Sequence, residues 1–179
     1  MRLPSPVWLI GTYDAAGRPN VMTASWTGIC CSRPPCVAVA LRKATYTYGS
    51  LMARRAFTVS VPSEAQVKIA DYVGLASGRD VDKFAQAGLT VVRSDLVDAP
   101  YAREFPVVME CRLLHTLEIG SHTQFIGEVL DVKVDENGLD EKGAPRIDVL
   151  RPFAYLDGYR GMGAYLGDAF DVGKEIGKV

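Results

Sequence analysis

The stretch from residue 107 to residue 134 constrains the fold most, because it predicts two long strands joined by a tight turn. From residue 107 to 119 the odd positions carry Val, Met, Cys, Leu, His, Leu and Ile, whereas the even positions include two Glu, an Arg and a Thr. Such alternation predicts a strand with one buried and one wet face. Residues 120–122 then turn the chain, and residues 125–134 return as the partner strand. A long antiparallel hairpin is therefore expected, with His115 on the buried face.

The rest of the chain predicts more strands, separated by short helices. Strands are expected at residues 7–13, 21–26, 37–41, 57–61, 89–92 and 147–150, and helices at residues 46–53 and 63–73. Ser63 and Gln66 have the spacing of a capping box at the start of the second helix. Pro34 and Pro35 predict a rigid corner, because neither residue has an N–H group for a sheet ladder. This pattern favours an antiparallel barrel with helical insertions, in a single domain over residues 1–179.

Composition and charge exclude several classes of function. The 179 residues are 48% hydrophobic and 23% charged, and the formal net charge is −1, so no net field attracts nucleic acid or an anionic membrane. No apolar run approaches the roughly 20 residues that cross a bilayer, and a cytoplasmic protein is expected. The four cysteines lack the paired spacing of a zinc site, and no metal centre is expected.

Several segments, in their order and spacing, resemble one family. The first reads PVWLIGTYDAAGRPNVMTASWTGICCSRPPCVAVAL, and it is followed by RKATYTYGSL, DKF, ECRLLHTLEIGSHTQFIGEV and the tail YLDGYRGMGAYLGDAFDVGK. The chain resembles the flavin reductase-like FMN-binding family, and within it the flavoredoxin group. The resemblance implies a mainly β, antiparallel split β-barrel that binds FMN, with short helical insertions and an irregular or helical C-terminal tail.

Residues 23–27 are the candidate wall for the flavin ring. Thr23, Ser25 and Thr27 share one side of a predicted strand, where hydroxyls can hydrogen bond to the polar edge of the ring or to the ribityl chain. The resemblance implies that this segment lies along the flavin and that Ala24 permits close approach. Trp26 is included in the site, although strand alternation turns it to the other side. Periodicity alone also allows an ordinary hairpin strand with an exposed Ser/Thr face.

A candidate anion site lies just beyond Leu41. Arg42, Lys43, Thr45 and Thr47 precede or open a predicted helix, so two cations, two hydroxyls and free N–H groups meet there. The resemblance also points to the FMN phosphate at this place. The alternative is a solvated basic turn in which Thr45 only caps the helix.

His122, Lys83 and two adjacent cysteines complete the candidates. Relatives carry GDH near the flavin where this chain has GSH, so the resemblance implies that His122 contacts the ring or a nicotinamide, as a candidate catalytic residue without a neighbouring carboxylate. The resemblance also implies that Lys83 reaches the phosphate or the ring. Cys30 and Cys31 project to opposite sides of a strand, and no base partner is evident, so they receive no covalent role.

Two main functions follow from the resemblance. The first is an oxidoreductase in which flavin accepts hydride from NADH or NADPH and passes electrons to an acceptor. The second is a flavoredoxin-like electron carrier with tightly bound FMN and a protein redox partner. A third, weaker alternative is a barrel that has lost flavin and acts as a binding module. The glycines at 161, 163 and 167 lack the βαβ context of a dinucleotide fingerprint, but a nicotinamide that stacks transiently on FMN needs no such domain.

The resemblance also implies a homodimer with cofactor sites near the subunit interface. The aromatic and glycine-rich tail, residues 155–179, is expected to serve either as a dimerisation segment or as a lid on its own chain.

Overall fold

The computed structural model describes residues 3–165, which form mainly β structure with short helices. The strands are β1 (Ser5–Pro6), β2 (Trp8–Tyr13), β3 (Pro19–Ala24), β4 (Thr27–Ser32), β5 (Pro35–Arg42), β6 (Ala56–Val61), β7 (Val91–Arg93), β8 (Pro100–Ala102), β9 (Val107–Ile119), β10 (His122–Val134), β11 (Phe153–Tyr155) and β12 (Tyr159–Gly161). The helices are α1 (Tyr46–Arg54), α2 (Val67–Leu75), α3 (Lys83–Ala87) and α4 (Ile147–Leu150), with 3₁₀ turns at Glu64–Gln66 and Glu136–Gly138.

One antiparallel sheet of seven strands organises the described residues. Its strand order is β3-β2-β6-β9-β10-β5-β4, so the predicted long hairpin, β9 and β10, connects its two halves. The β2–β3 hairpin is also confirmed, with Trp8 opposite Ala24 and Tyr13 opposite Pro19. Small sheets of β1, β11 and β12 and of β7 and β8 lie beside it. The predicted antiparallel, mainly β architecture is therefore confirmed.

Strand alternation divides the apolar residues into two cores. One face of the sheet packs Ile10, Val39, Phe57 and Phe125 against one another inside the barrel. The adjacent residue Leu9 points the other way, into a second core that helices α2 and α3 cover with residues such as Val73 and Phe84. Because β2 is covered on both faces, it reads as a nearly continuous apolar run.

The capping box at the start of the second predicted helix is confirmed. The backbone N–H of Ser63 donates to Oε1 of Gln66 at 2.8 Å, and the chain continues through the first 3₁₀ turn into α2. The strand predicted at residues 147–150 is wrong, because these residues form α4. In this helix the backbone N–H groups of Val149 and Leu150 donate to the carbonyl of Arg146. The prediction failed because periodicity cannot distinguish a strand from a helix in so short an apolar run.

The prediction for His115 is also wrong. The first half of β9 is largely buried, but His115 and all residues after it on this strand are exposed. The pairing of β9 with β10 shifts register between Ile126 and Gly127, so that Ile126 lies opposite His115 and Gly127 opposite Leu113. A single buried face therefore does not continue along the whole strand. Beyond the shift, Leu117 and Ile119 expose 59% and 53% of their surfaces.

A helix that crosses a bilayer needs about 20 predominantly apolar residues. Within residues 3–165, every helix is too short to cross one.

Candidate functional site

A cavity of about 960 Å³ lies against strands β4, β5 and β10. This volume falls within the range of roughly 300 to 1,000 Å³ that small-molecule sites occupy. Its lining comprises Leu3, Pro4, Ser5, Ser25, Trp26, Thr27, Gly28, Ile29, Cys30, Ala38, Ala40, Ile119, Ser121, His122, Gln124, Tyr155 and Asp157. The cavity is therefore bounded by segments from both halves of the described chain.

Strand β5 supplies the floor of the cavity with very small side chains. Val37, Val39 and Leu41 point into the barrel core, so Ala38 and Ala40 point to the other side, where they line the cavity. Gly28 of β4 pairs with Ala38 and adds no side chain. The resulting floor is apolar and nearly free of protruding groups, which suits a flat ligand.

The corner between β3 and β4 supplies the wall. The sequence predicted one strand through residues 21–26 with Thr23, Ser25 and Thr27 on a shared side, but β3 ends at Ala24 and β4 begins at Thr27. The backbone N–H of Ala40 donates to the carbonyl of Trp26 at 2.9 Å and holds the corner against β5. Residues 25–30, from this corner and the start of β4, all line the cavity.

An aromatic pair stands at the rim of the cavity. The rings of Trp26 and His122 are parallel within 2°, with centroids 4.8 Å apart. Nδ1 of His122 is 2.9 Å from the hydroxyl of Ser121, so the serine orients the imidazole where relatives were expected to use an aspartate. Trp26 nevertheless exposes 60% of its surface, which leaves this pair accessible to a ligand.

The hydroxyl of Thr27 is a polar atom without a partner in the cavity wall. Its Oγ1 is buried and makes no hydrogen bond to any described residue. A buried hydroxyl in this state costs about 1 to 3 kcal/mol unless something satisfies it. Because Thr27 lies directly opposite Val39, whose side chain packs in the barrel core, this hydroxyl lies on the core side of the sheet and does not open into the cavity.

Seven of the eleven sequence-predicted residues do not line the cavity, and other parts of the protein engage four of these seven. Thr23 donates its hydroxyl to the carbonyl of Ala70, and Ala24 packs in the barrel core. The buried hydroxyl of Thr47 accepts a hydrogen bond from the amide of Asn20 at 2.9 Å. Lys83 also lies outside the lining of the cavity, in the placement described next.

Lys83 is a buried structural cation. Its Nζ donates to the carbonyls of Val73 and Val21 at 2.7 and 2.9 Å, and only 4% of the residue is exposed. Burial lowers the pKa of Lys83 to about 8. The lysine therefore joins the end of α2 to β3, a role that a motif in the linear sequence does not reveal.

The candidate anion site is only partly assembled. Arg42 is exposed and follows Ala38 and Ala40 along the same face of β5, opposite His122. Lys43 instead forms an exposed ion pair with Glu118 at 2.8 Å, and Thr45 donates its hydroxyl to the carbonyl of Arg42 at 2.9 Å. Arg42 is therefore the basic residue that continues the face of β5 on which Ala38 and Ala40 form the floor.

Sequence reasoning missed the residues that are small or distant along the chain. Ala38 and Ala40 appeared only as part of a buried strand, and Gln124 and Ile119 as members of a hairpin. These residues come close together only because β9, β10, β5 and β4 are neighbours in the sheet. Tyr155 and Asp157 also line the cavity, so the start of the predicted tail reaches the site on its own chain, whereas residues 166–179 lie outside the described residues.

Comparison with known proteins identifies the family. A family model described as a flavin reductase like domain matches residues 1–162. The chain belongs to this family. The predicted membership and the split-barrel fold are thereby confirmed.

Individual members of the family are similar over most of the chain. Flavoredoxin of Desulfovibrio vulgaris (Miyazaki F) is 52% identical with a TM-score of 0.91, over 96% of this chain and 93% of that one. Flavoredoxin from Methanosarcina acetivorans is 32% identical with a TM-score of 0.90, over 97% and 92% of the two chains. An uncharacterised protein of Archaeoglobus fulgidus is 35% identical over 64% of this chain, and the match spans 65% of its own length, just under two thirds.

A metal site finds no support in the described part of the chain. Within residues 3–165, no three His, Cys, Asp or Glu side chains come together in a way that could hold an ion.

Proposed function

We propose that the protein is an FMN-binding oxidoreductase that accepts hydride from NADH or NADPH and passes the electrons to an acceptor. The observation that carries this proposal is the cavity, in which a flat floor of alanine and glycine meets the polar residues Ser25 and Gln124. An isoalloxazine ring combines a flat apolar body with a polar edge, and these are the two features that the cavity matches. Bound FMN supplies the redox chemistry, which the protein side chains do not provide.

The residues of the cavity have distinct roles in this proposal. Ala38 and Ala40 admit the ring, and Ser25 hydrogen bonds to its edge. Arg42, at the end of the same face of β5, binds the phosphate, because a guanidinium forms paired hydrogen bonds with phosphate oxygens. Thr45 and Lys43 lie beside Arg42 and complete the anion site if the Lys43–Glu118 pair opens, which costs little at an exposed position.

His122 has a positioning role at the rim. Its ring stacks on Trp26 and its Nδ1 is held by Ser121, so the pair presents a fixed aromatic surface to an incoming nicotinamide. Hydride transfer between two rings requires no protein acid or base. The histidine therefore orients the donor, and it need not exchange a proton.

The test begins with the absorption spectrum of the purified protein after addition of FMN. Bound flavin bands that persist through gel filtration are expected. Anaerobic mixing with NADH or NADPH should then bleach the yellow band within seconds. A protein that remains colourless after FMN addition contradicts cofactor binding, and stable yellow colour in the presence of both nicotinamides contradicts the enzyme.

A flavoredoxin-like electron carrier is the second candidate. The observation that favours it is the 52% identity to a flavoredoxin over 96% of this chain. In this case the protein retains FMN and exchanges electrons with a protein partner. Bleaching by a reduced redox protein such as ferredoxin, with no bleaching by NADH or NADPH, would select the carrier.

A homodimer and a cytoplasmic location stay predictions. Ile29 and Ile119 line the cavity and expose 82% and 53% of their surfaces, and the neighbouring residue Leu117 exposes 59%. A second subunit that covered these side chains would also close the cavity. Sedimentation should give a mass near twice 19.4 kDa, and a mass of one chain at micromolar concentration contradicts the dimer.

A further inference from the structure

The β4–β5 hairpin brings cysteines together at one end of the cavity floor. Cys31 lies directly opposite Cys36, next to the pair Ser32 and Pro35 that closes the hairpin. Cys30, which lines the cavity, is the extra residue of a bulge between Ile29 and Cys31. All four cysteines of the chain are free thiols in the structure.

We propose that Cys31 and Cys36 form a redox-active dithiol that closes to a cross-strand disulfide by exchange with a small-molecule disulfide. Opposed residues of an antiparallel pair hold their Cα atoms about 4.5 to 5.5 Å apart. A disulfide spans Cα separations of about 4.4 to 6.8 Å. Their side chains also point to the same face, so the bond forms without a change of register.

The environments of the two thiols assign their order of reaction. Cys31 is exposed at the end of the hairpin, where an external disulfide can reach its sulfur, whereas Cys36 is 4% exposed. Burial raises the pKa of Cys36, and the neighbouring Cys31 raises it further. Cys31 is therefore the attacking thiol, and Cys36 is the resolving thiol that already faces it.

The reaction balances without any other reagent. The thiolate of Cys31 attacks one sulfur of a disulfide RSSR, forms a mixed disulfide and releases one RS⁻. Cys36 then loses its proton and attacks the sulfur of Cys31, which releases the second RS⁻. The protons from the two S–H groups pass to the released thiolates, so one protein dithiol is oxidised and one RSSR is reduced to two RSH.

The position of the pair distinguishes it from the other cysteines. Cys36 precedes Ala38 and Ala40 along one face of β5, so the disulfide lies at the opposite end of the floor from Arg42. Cys111 is fully buried in the barrel core, where an external disulfide cannot reach it. Within the described residues these thiols also form no metal site, which leaves them free to react.

The experiment uses the full-length protein without added flavin. After reduction and removal of the reductant, the protein is incubated with oxidised glutathione, quenched in acid, alkylated and digested for mass spectrometry. We expect two of the four thiols to be protected, and the single peptide that contains both Cys31 and Cys36 to be lighter than its reduced form by two hydrogen atoms, with fragmentation locating the bond between these two residues. Excess reduced glutathione should restore all four thiols. Four thiols that still alkylate after oxidation, or a bond that excludes either residue, would overturn the proposal.

Matched variants assign the roles. Cys30→Ser and Cys111→Ser should still form the bond, whereas Cys31→Ser should lose it. Cys36→Ser should accumulate a glutathione mixed disulfide on Cys31, because the resolving thiol is absent. Cys31→Ser replaces an exposed residue, so its test does not depend on the tolerance of the buried site. A bond that persists in Cys31→Ser contradicts the proposal. Because no step involves flavin, failure here leaves the proposed FMN function untouched.

Discussion

The two faces of strand β5 have the same backbone but opposite uses. Val37, Val39 and Leu41 expose no more than 2% of their surfaces and fill the barrel core. Ala38 and Ala40 alternate with them and form the floor of a cavity of about 960 Å³. Large side chains on one face thus stabilise the fold, and small side chains on the other leave room for a ligand. The comparison shows that small side chains can specify a binding site, because they leave space for the ligand.

Removal of a large side chain from the core face should have the greatest effect. Phe125 lies on β10 opposite Val39 and is fully buried. Phe125→Ala should lower the free energy of unfolding by about 3 to 5 kcal/mol, because it leaves a cavity in the core. Urea denaturation measures the change. The control is Gln124→Ala, its neighbour on the cavity side, with an expected change below about 0.5 kcal/mol; equal losses would remove the distinction between the faces.

Addition of volume to the cavity face should affect binding more than stability. Ala40→Leu places a branched side chain on the floor, so the affinity for FMN should fall about 100-fold, or about 2.7 kcal/mol. Flavin fluorescence titration gives the dissociation constant. The small variant Ala40→Ser should bind within a few-fold of the parent. If Ala40→Leu binds FMN normally, the ring does not lie on this floor.

The two basic residues at the end of the floor should differ in their contributions. Arg42→Ala should weaken FMN binding by about 1.5 to 3 kcal/mol, the range for hydrogen bonds to a charged group. Lys43→Ala should cost less than about 1 kcal/mol, because this lysine is already paired at the exposed surface. Riboflavin, which has no phosphate, is the control ligand and should bind both variants equally. A larger loss for Lys43→Ala would reverse the assignment.

The smallest effect is expected at the unpartnered hydroxyl of the wall. Thr27→Val keeps the shape of the side chain and removes its Oγ1, which does not open into the cavity, so FMN affinity should change by less than about 0.5 kcal/mol. The unliganded protein should gain about 1 kcal/mol of stability, because a buried hydroxyl without a partner disappears. Calorimetry and urea denaturation measure the two changes. A loss of stability in the unliganded variant would indicate that water or another group already satisfies the hydroxyl.

Local pattern predicted much of the fold but less of the site. Alternation and turn residues located the β9–β10 hairpin, and the Ser63–Gln66 spacing located the start of a helix. The same reasoning predicted that His115 is buried, because a sequence does not show where other elements stop packing against a sheet. It also predicted that Thr23 and Ser25 share one side of a strand. This prediction failed because the corner after Ala24 ends the strand.

Some of the predicted site residues line the cavity, and others are bound by the protein itself. Ser25, Trp26, Thr27 and His122 do line one cavity, since three of them are consecutive and strand pairing adds the fourth. Lys83 was assigned by resemblance alone, yet its ammonium is enclosed by two backbone carbonyls. Whether a polar side chain faces a ligand or the protein's own backbone depends on neighbours that are distant along the chain.

The amino-acid sequence by itself determined the strand periodicity, the turns, the family and the stretch of chain that carries the site. Only the tertiary structure decided which face of β5 is covered and which remains open, and that Cys31 opposes Cys36. The physical reason is that alternation is a property of one strand, whereas burial is a property of everything packed against it.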